Sequence, residues 1–179
     1  WGARSGWLSR DIGKDLIAPK PERSLPDVLD IESAALAIKA LEVRAQEEES
    51  ASSLRDLALV EVLYGSGIRI SELVGLDLGD IDRQRSTIKV MGKGSKERIV
   101  PIGQPALTAV DNWINNARAE LVSQSSGSAL FIGSRGKRID QRVARSVVYQ
   151  AMEAIGSDKK LGPHTLRHSA ATHLLEGGA

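Results

Sequence analysis

The 179 residues include no cysteine, no basic-then-apolar leader and no apolar run near the ~20 residues a membrane-spanning helix needs, which argues against disulfides, thiolate metal sites and secretion and fits a reducing cytoplasm. An apolar share of 41% suffices for one packed domain, and with aromatics at 3% its core has to be built from Leu, Ile, Val and Ala. The net charge of +1 hides a division: residues 1–60 hold 8 Lys and Arg against 11 Asp and Glu, whereas residues 83–173 hold 15 against 6.

In chain order, Trp1 to Leu16 mixes apolar and charged residues without a clean period. Ala18 to Pro26 holds Pro19, Pro21 and Pro26, a density that forbids helix and favours an extended linker, so a boundary falls there. Asp30 or Ser33 caps a helix through Ala45, with Ile31, Leu36, Ile38, Leu41 and Val43 apolar. Gln46 to Ser53, acidic and serine-rich, reads as an exposed loop. A second helix runs from Leu54 to Leu63 and is stopped by Gly65 and Gly67. Arg69 to Leu76 reads as a short helix. Thr87–Met91 and Arg98–Ile102 are β-type runs around the turn Gly92-Lys93-Gly94-Ser95-Lys96-Glu97, which predicts a hairpin. Pro105 to Leu121 is helical, Ala129–Ile132 is a third strand, and Asp140–Ile155 and Pro163–Leu175 are helices. No internal repeat appears. The fold class is mixed α/β, mostly helical, with a small antiparallel three-stranded sheet.

His164 and Arg167 lie three residues apart and share a helical face. An imidazole beside a guanidinium fork suits a phosphate oxygen. Arg69 and Lys93 are the other candidates. Each has a plainer reading: Arg69 as an ion pair with Glu72, Lys93 as hairpin solubility, His164 as a cap, Arg167 as a satisfied half-buried arginine. The basic second half fits a polyanion along one face, with scattered solubilising charge as the alternative. Lys96, Arg98, Arg135, Arg138, Arg142 and His168 are candidate contacts to that polyanion, with Lys137 and Arg145 in the same basic run. His173 reads as a core or capping residue. The histidines have no carboxylate at ligand spacing, so neither a metal nor another cofactor is expected. The Gly92 turn lacks the spacing of a nucleotide-binding P-loop.

The segments Leu-Tyr-Gly-Ser-Gly-Ile-Arg-Ile-Ser-Glu-Leu (63–73), Gly-Lys-Gly-Ser-Lys-Glu-Arg (92–98) and His-Thr-Leu-Arg-His-Ser-Ala-Ala-Thr-His-Leu-Leu (164–175), in that order, resemble the catalytic domain of tyrosine recombinases of the phage-integrase family. The resemblance is closest to the XerC/XerD subfamily of chromosome-dimer resolvases, in an actinobacterial form, and covers roughly residues 19–179. It implies a remnant of an N-terminal SAM-like core-binding domain at 1–18, a linker at 19–29 and a catalytic domain from 30 to 179 that lacks its C-terminal helices. It also implies that Arg69, Arg167 and His164 grip the scissile phosphate, that Lys93 is the general acid, and that Glu72 orients Arg69. The parent protein would cut and rejoin DNA through a 3′-phosphotyrosyl intermediate at cell division, in a tetramer with a second Xer-type recombinase.

In that family a further histidine and the nucleophilic tyrosine follow the last motif, beyond Ala179. Tyr64 and Tyr149 match neither position. The expectation is a chain with no nucleophile, which binds duplex without cleaving it and stays monomeric with an open acceptor groove. The rival readings are a phage or transposon integrase with the same pocket, a non-enzymatic DNA-binding module, and an unrelated helical scaffold with basic patches.

Overall fold

The computed structural model describes residues 5–7, 29–92, 94, 96–156 and 161–176, with backbone alone for 174–176. The expectations for residues 1–28 therefore lie outside the described residues, apart from a turn at 5–7. Leu29, the last residue of the expected linker, is buried, and its amide donates to Ser169 Oγ at 2.8 Å.

Helix α1 (Ile31–Glu48) starts where the Asp30 carboxylate accepts the Ser33 amide at 2.7 Å, and it buries Ala34, Ala37, Leu41 and Ala45. Glu49 turns left-handed at φ 47°, and Ser50 at once caps α2 (Ala51–Ser66) by accepting the Ser53 amide. The loop expected at 46–53 is therefore Glu49 and Ser50 alone. Its acidic residues are good helix formers facing water, and its serines belong to a cap and a first turn.

Helix α2 is buried nearly all round, as a helix enclosed by others must be. It packs on α1, on α4 (Gln104–Asn112) and on α7 (Pro163–Glu176). It ends at Gly67, whose φ of 61° suits glycine and whose amide donates to the Leu63 carbonyl at 3.0 Å. Helix α3 (Ile70–Gly75) follows at once, with Arg69 in the N-cap position.

The sheet has strands β1 (Ile81–Asp82), β2 (Thr87–Met91) and β3 (Glu97–Pro101) in the order β1-β2-β3, all antiparallel. The register pairs Val90 with Arg98 and Met91 with Glu97. Period-2 alternation buries Ile88 and Val90. The third strand is thus Ile81–Asp82 and not Ala129–Ile132.

Residues 129–132 are fully buried but form two isolated bridges, to Asp77 and Arg138. Side chains satisfy much of that backbone in place of a strand. Trp113 Nε1 donates to the Leu130 carbonyl at 2.9 Å, Arg118 to that of Ala129, and Arg55 to that of Ile132 at 3.2 Å. The helix expected over 105–121 forms as α4, a π-helical turn at Trp113–Ala117, and α5 (Arg118–Leu121). Helix α6 (Gln141–Glu153) is capped by Asp140, and α7 follows it.

Candidate phosphate-binding site

Arg69 closes the turn between α2 and α3. Its amide donates to Glu72 Oε2 at 2.8 Å, and its guanidinium Nη1 reaches Glu72 Oε1 at 3.1 Å, with 52% of the side chain still exposed. A glutamate at the third helical position reaching back to the N-cap amide stabilises a helix start. Here it also aims the arginine outward.

Glu72 takes a second guanidinium. Arg98 from β3 binds it in a fork, Nη1 to Oε1 and Nη2 to Oε2, both at 2.8 Å. The Glu72 side chain is 4% exposed. Burial pushes its carboxyl up, but the Arg98 fork and then the Arg69 amide and guanidinium outweigh this and bring the pKa down to about 2. Glu72, expected to orient Arg69, contacts both its amide and its guanidinium.

Arg167 comes from the first turn of α7. Its Nε donates to the Gly67 carbonyl at 2.8 Å, two residues before Arg69. Leu166, buried beside it, seats the helix start in the core. His164 stands exposed three residues earlier on α7. Arg69, Arg167 and His164 are thus brought to two chain segments joined at Gly67. Lys93 and Ser95 lie outside the described residues. The turn that carries them is closed by the Gly92 amide donating to the Lys96 carbonyl at 2.8 Å.

The other basic residues divide. Lys96, Arg135, Lys137, Arg142, Arg145 and His168 are exposed, and the two arginines of α6 enter no ion pair with described residues. Arg138 is engaged: Nη1 donates to the Val74 and Leu76 carbonyls at 3.1 and 2.8 Å, and Nη2 pairs with Asp77. It caps the end of α3. Arg98 is 39% exposed and committed to Glu72. The sequence reading took Arg98 and Arg138 for DNA contacts. For Arg98 a signal was available, since it shares a strand face with the half-buried Val100.

Neither tyrosine stands free in this cluster. The Tyr64 hydroxyl meets His173 Nδ1 at 2.9 Å, with the rings edge to face. The Tyr149 ring lies against Gly162, where an added Cβ would come within 2.8 Å of it. Sequence reasoning missed the buried Arg55–Asp56 ion pair (2.7 Å) and the buried Glu61 beneath an apolar groove between α1 and α4. Among the described residues no cluster of His, Asp and Glu could hold a metal ion, and no helix is long and apolar enough to cross a membrane.

The Phage integrase family profile matches residues 36–179. Over its 179 residues the chain is 48% identical to the Tyrosine recombinase XerC of Mycobacterium tuberculosis (strain ATCC 25177 / H37Ra) and 46% identical to that of Mycobacterium sp. (strain KMS). It covers 60% and 59% of their lengths. The crystal structure of XerA recombinase superposes with a TM-score of 0.74 at 29% identity, over 87% of this chain and 53% of that one. A lambda integrase dimer bound to a COC′ core site gives a TM-score of 0.69 over 99% of this chain and 62% of that one, and at 15% identity it speaks for the fold alone. With the profile covering most of its residues, the chain belongs to the phage integrase family of tyrosine recombinases, and its relatives by sequence are of the XerC type.

Proposed function

We propose that this chain supplies the phosphate grip of a site-specific recombinase that cuts and rejoins duplex DNA. The observation that carries the reading is the hydrogen bond from Arg167 Nε to the Gly67 carbonyl, which fastens one guanidinium to the turn that presents the other. Phosphoryl transfer gathers negative charge on the non-bridging oxygens. Fixed guanidinium groups bind that charge more tightly in the transition state than in the ground state. His164 adds a donor on the same helix start. Lys93, on the hairpin turn, protonates the departing 5′-oxygen.

The attacking tyrosine belongs to the whole protein, in which a 3′-phosphotyrosyl intermediate forms. The Tyr64 hydroxyl is held by His173, Tyr149 lies on α6 with its ring against Gly162, and with neither as the nucleophile the 179-residue chain by itself binds duplex without joining it covalently. A nicked suicide duplex carrying a Xer-type recombination site tests this. The full-length protein should trap a covalent adduct. Arg69→Ala and Arg167→Ala should each slow trapping by about 10²–10³, the cost of removing one oxyanion donor, with binding largely retained. An adduct formed by the 179-residue chain, or undiminished trapping by both variants, would overturn the reading.

The XerC-type relatives support a biological role in resolving chromosome dimers at cell division, in the cytoplasm, by a tetramer with a second Xer-type recombinase. An apolar groove of about 980 Å³, lined by Ile31, Leu36, Ile38, Ala106 and Ala170, supports docking of a neighbouring protomer.

A further inference from the structure

We propose that Arg98 is a positioning residue, a brace that ties the base of the Lys93 turn to the Arg69 end of the site. The proposal rests on the recombinase reading above. Two observations carry it. The Arg98 guanidinium forks onto Glu72, the carboxylate that also holds the Arg69 amide and guanidinium. The same guanidinium lies over Gly92, the residue immediately before Lys93, where an added Cβ would meet Arg98 Nη1 and the Lys96 carbonyl, each at 3.2 Å.

One planar group therefore spans a buried acid on α3 and the last backbone unit before the turn. Among the described residues the Gly92 amide also donates to the Lys96 carbonyl there. A short lysine-bearing turn delivers a proton well only when its base is fixed relative to the phosphate. Arg98 links the two through Glu72 without touching the substrate. A lysine at 98 would keep the charge but lose the fork.

The brace is separable from a structural role through the leaving group. In cleavage the phosphorus bonds to a tyrosine oxygen, the P–O5′ bond breaks, and the 5′-oxygen takes the lysine proton. A 5′-bridging sulfur leaves as a thiolate and needs no proton. Full-length protein carrying Arg98→Ala, Arg98→Lys or Gly92→Ala is assayed on matched nicked duplexes with oxygen or sulfur at that bond. The oxygen substrate should be cleaved about 10²-fold more slowly by Arg98→Ala, in the range of a misplaced general acid. The sulfur substrate should be cleaved within a fewfold of wild type.

Gly92→Ala removes no charge but crowds both the guanidinium and the Lys96 carbonyl that closes the turn. It should show the same pattern more weakly, and Arg98→Lys, which keeps the charge and loses the fork, decides the matter if Arg98→Ala does not fold. Equal slowing on both substrates, or no slowing on either, overturns the brace. A flatter salt dependence of duplex binding with unchanged cleavage would also overturn it, by making Arg98 a phosphate contact. Wild-type protein inert on both substrates would overturn the recombinase reading itself, a result distinct from any of these.

Discussion

Two guanidinium groups and a backbone amide converge on the Glu72 carboxylate, which has little access to water. Its pKa of about 2 lies below the ordinary 4.5, so the folded state favours its ionised form. The stabilisation is complete above about pH 4.5 and is lost as pH falls toward 2; the difference corresponds to about 3 kcal/mol. Glu72→Gln should therefore lower unfolding free energy by about that much at pH 7 in urea titrations, with the gap narrowing below pH 4.5. Glu61 behaves oppositely. Burial first, and then the charge of Glu42, push its carboxyl up. Ionisation is thus resisted by the fold, and stability falls as pH rises past the unfolded value. Glu61→Gln should melt higher than wild type at pH 7 and match it near pH 4. The glutamates illustrate what sequence can and cannot reveal. Glu72 was readable because its first partner, Arg69, is three residues away. The second, Arg98, is 26 residues away on another element, and no local pattern joins them.

At the scale of elements, the basic turn before α6 is held by a clasp. Ser123 and Ser126 hydroxyls both donate to the Gly136 carbonyl, at 2.9 and 2.6 Å. Gly136 has φ 74°, and a Cβ there would fall 2.5 Å from Ser123. Gly136→Ala should cost about 1–3 kcal/mol in denaturant unfolding, through backbone strain and the displaced serine. The helices and the hairpin were legible because their apolar spacing and glycine stops are local. The strand expected at 129–132 was not, because a short apolar run looks the same whether a neighbouring strand or side-chain donors satisfy its backbone. Trp113, Arg118 and Arg55 supply those donors from other helices. The 46–53 loop failed for a related reason, since polar composition marks a solvent-facing helical turn as readily as a loop.

For the whole molecule, charge division is the feature that sequence displayed most plainly, but the structure sorts it by use. Arg142 and Arg145 are exposed on α6, whereas Arg138 holds the carbonyls that end α3. Arg142→Ala and Arg145→Ala should each reduce the salt slope of duplex binding by about one, with the fold unaffected. Arg138→Ala should leave the slope nearly unchanged and lower stability by about 1–2 kcal/mol, the worth of a charged hydrogen bond partly open to water. Fluorescence titration across salt and thermal melts separate the two classes.

The turn bearing Arg69 emerges directly from α2, the helix buried nearly all round. Amide deuteration should accordingly be slowest along Leu59–Leu63 and remain slow to the Gly67 junction, because opening there means dismantling the interior. The outer face of α1 should deuterate far sooner. An arginine cluster mounted in this way keeps its geometry through the brief local openings that loosen the rim, and surrenders it only when the entire fold gives way.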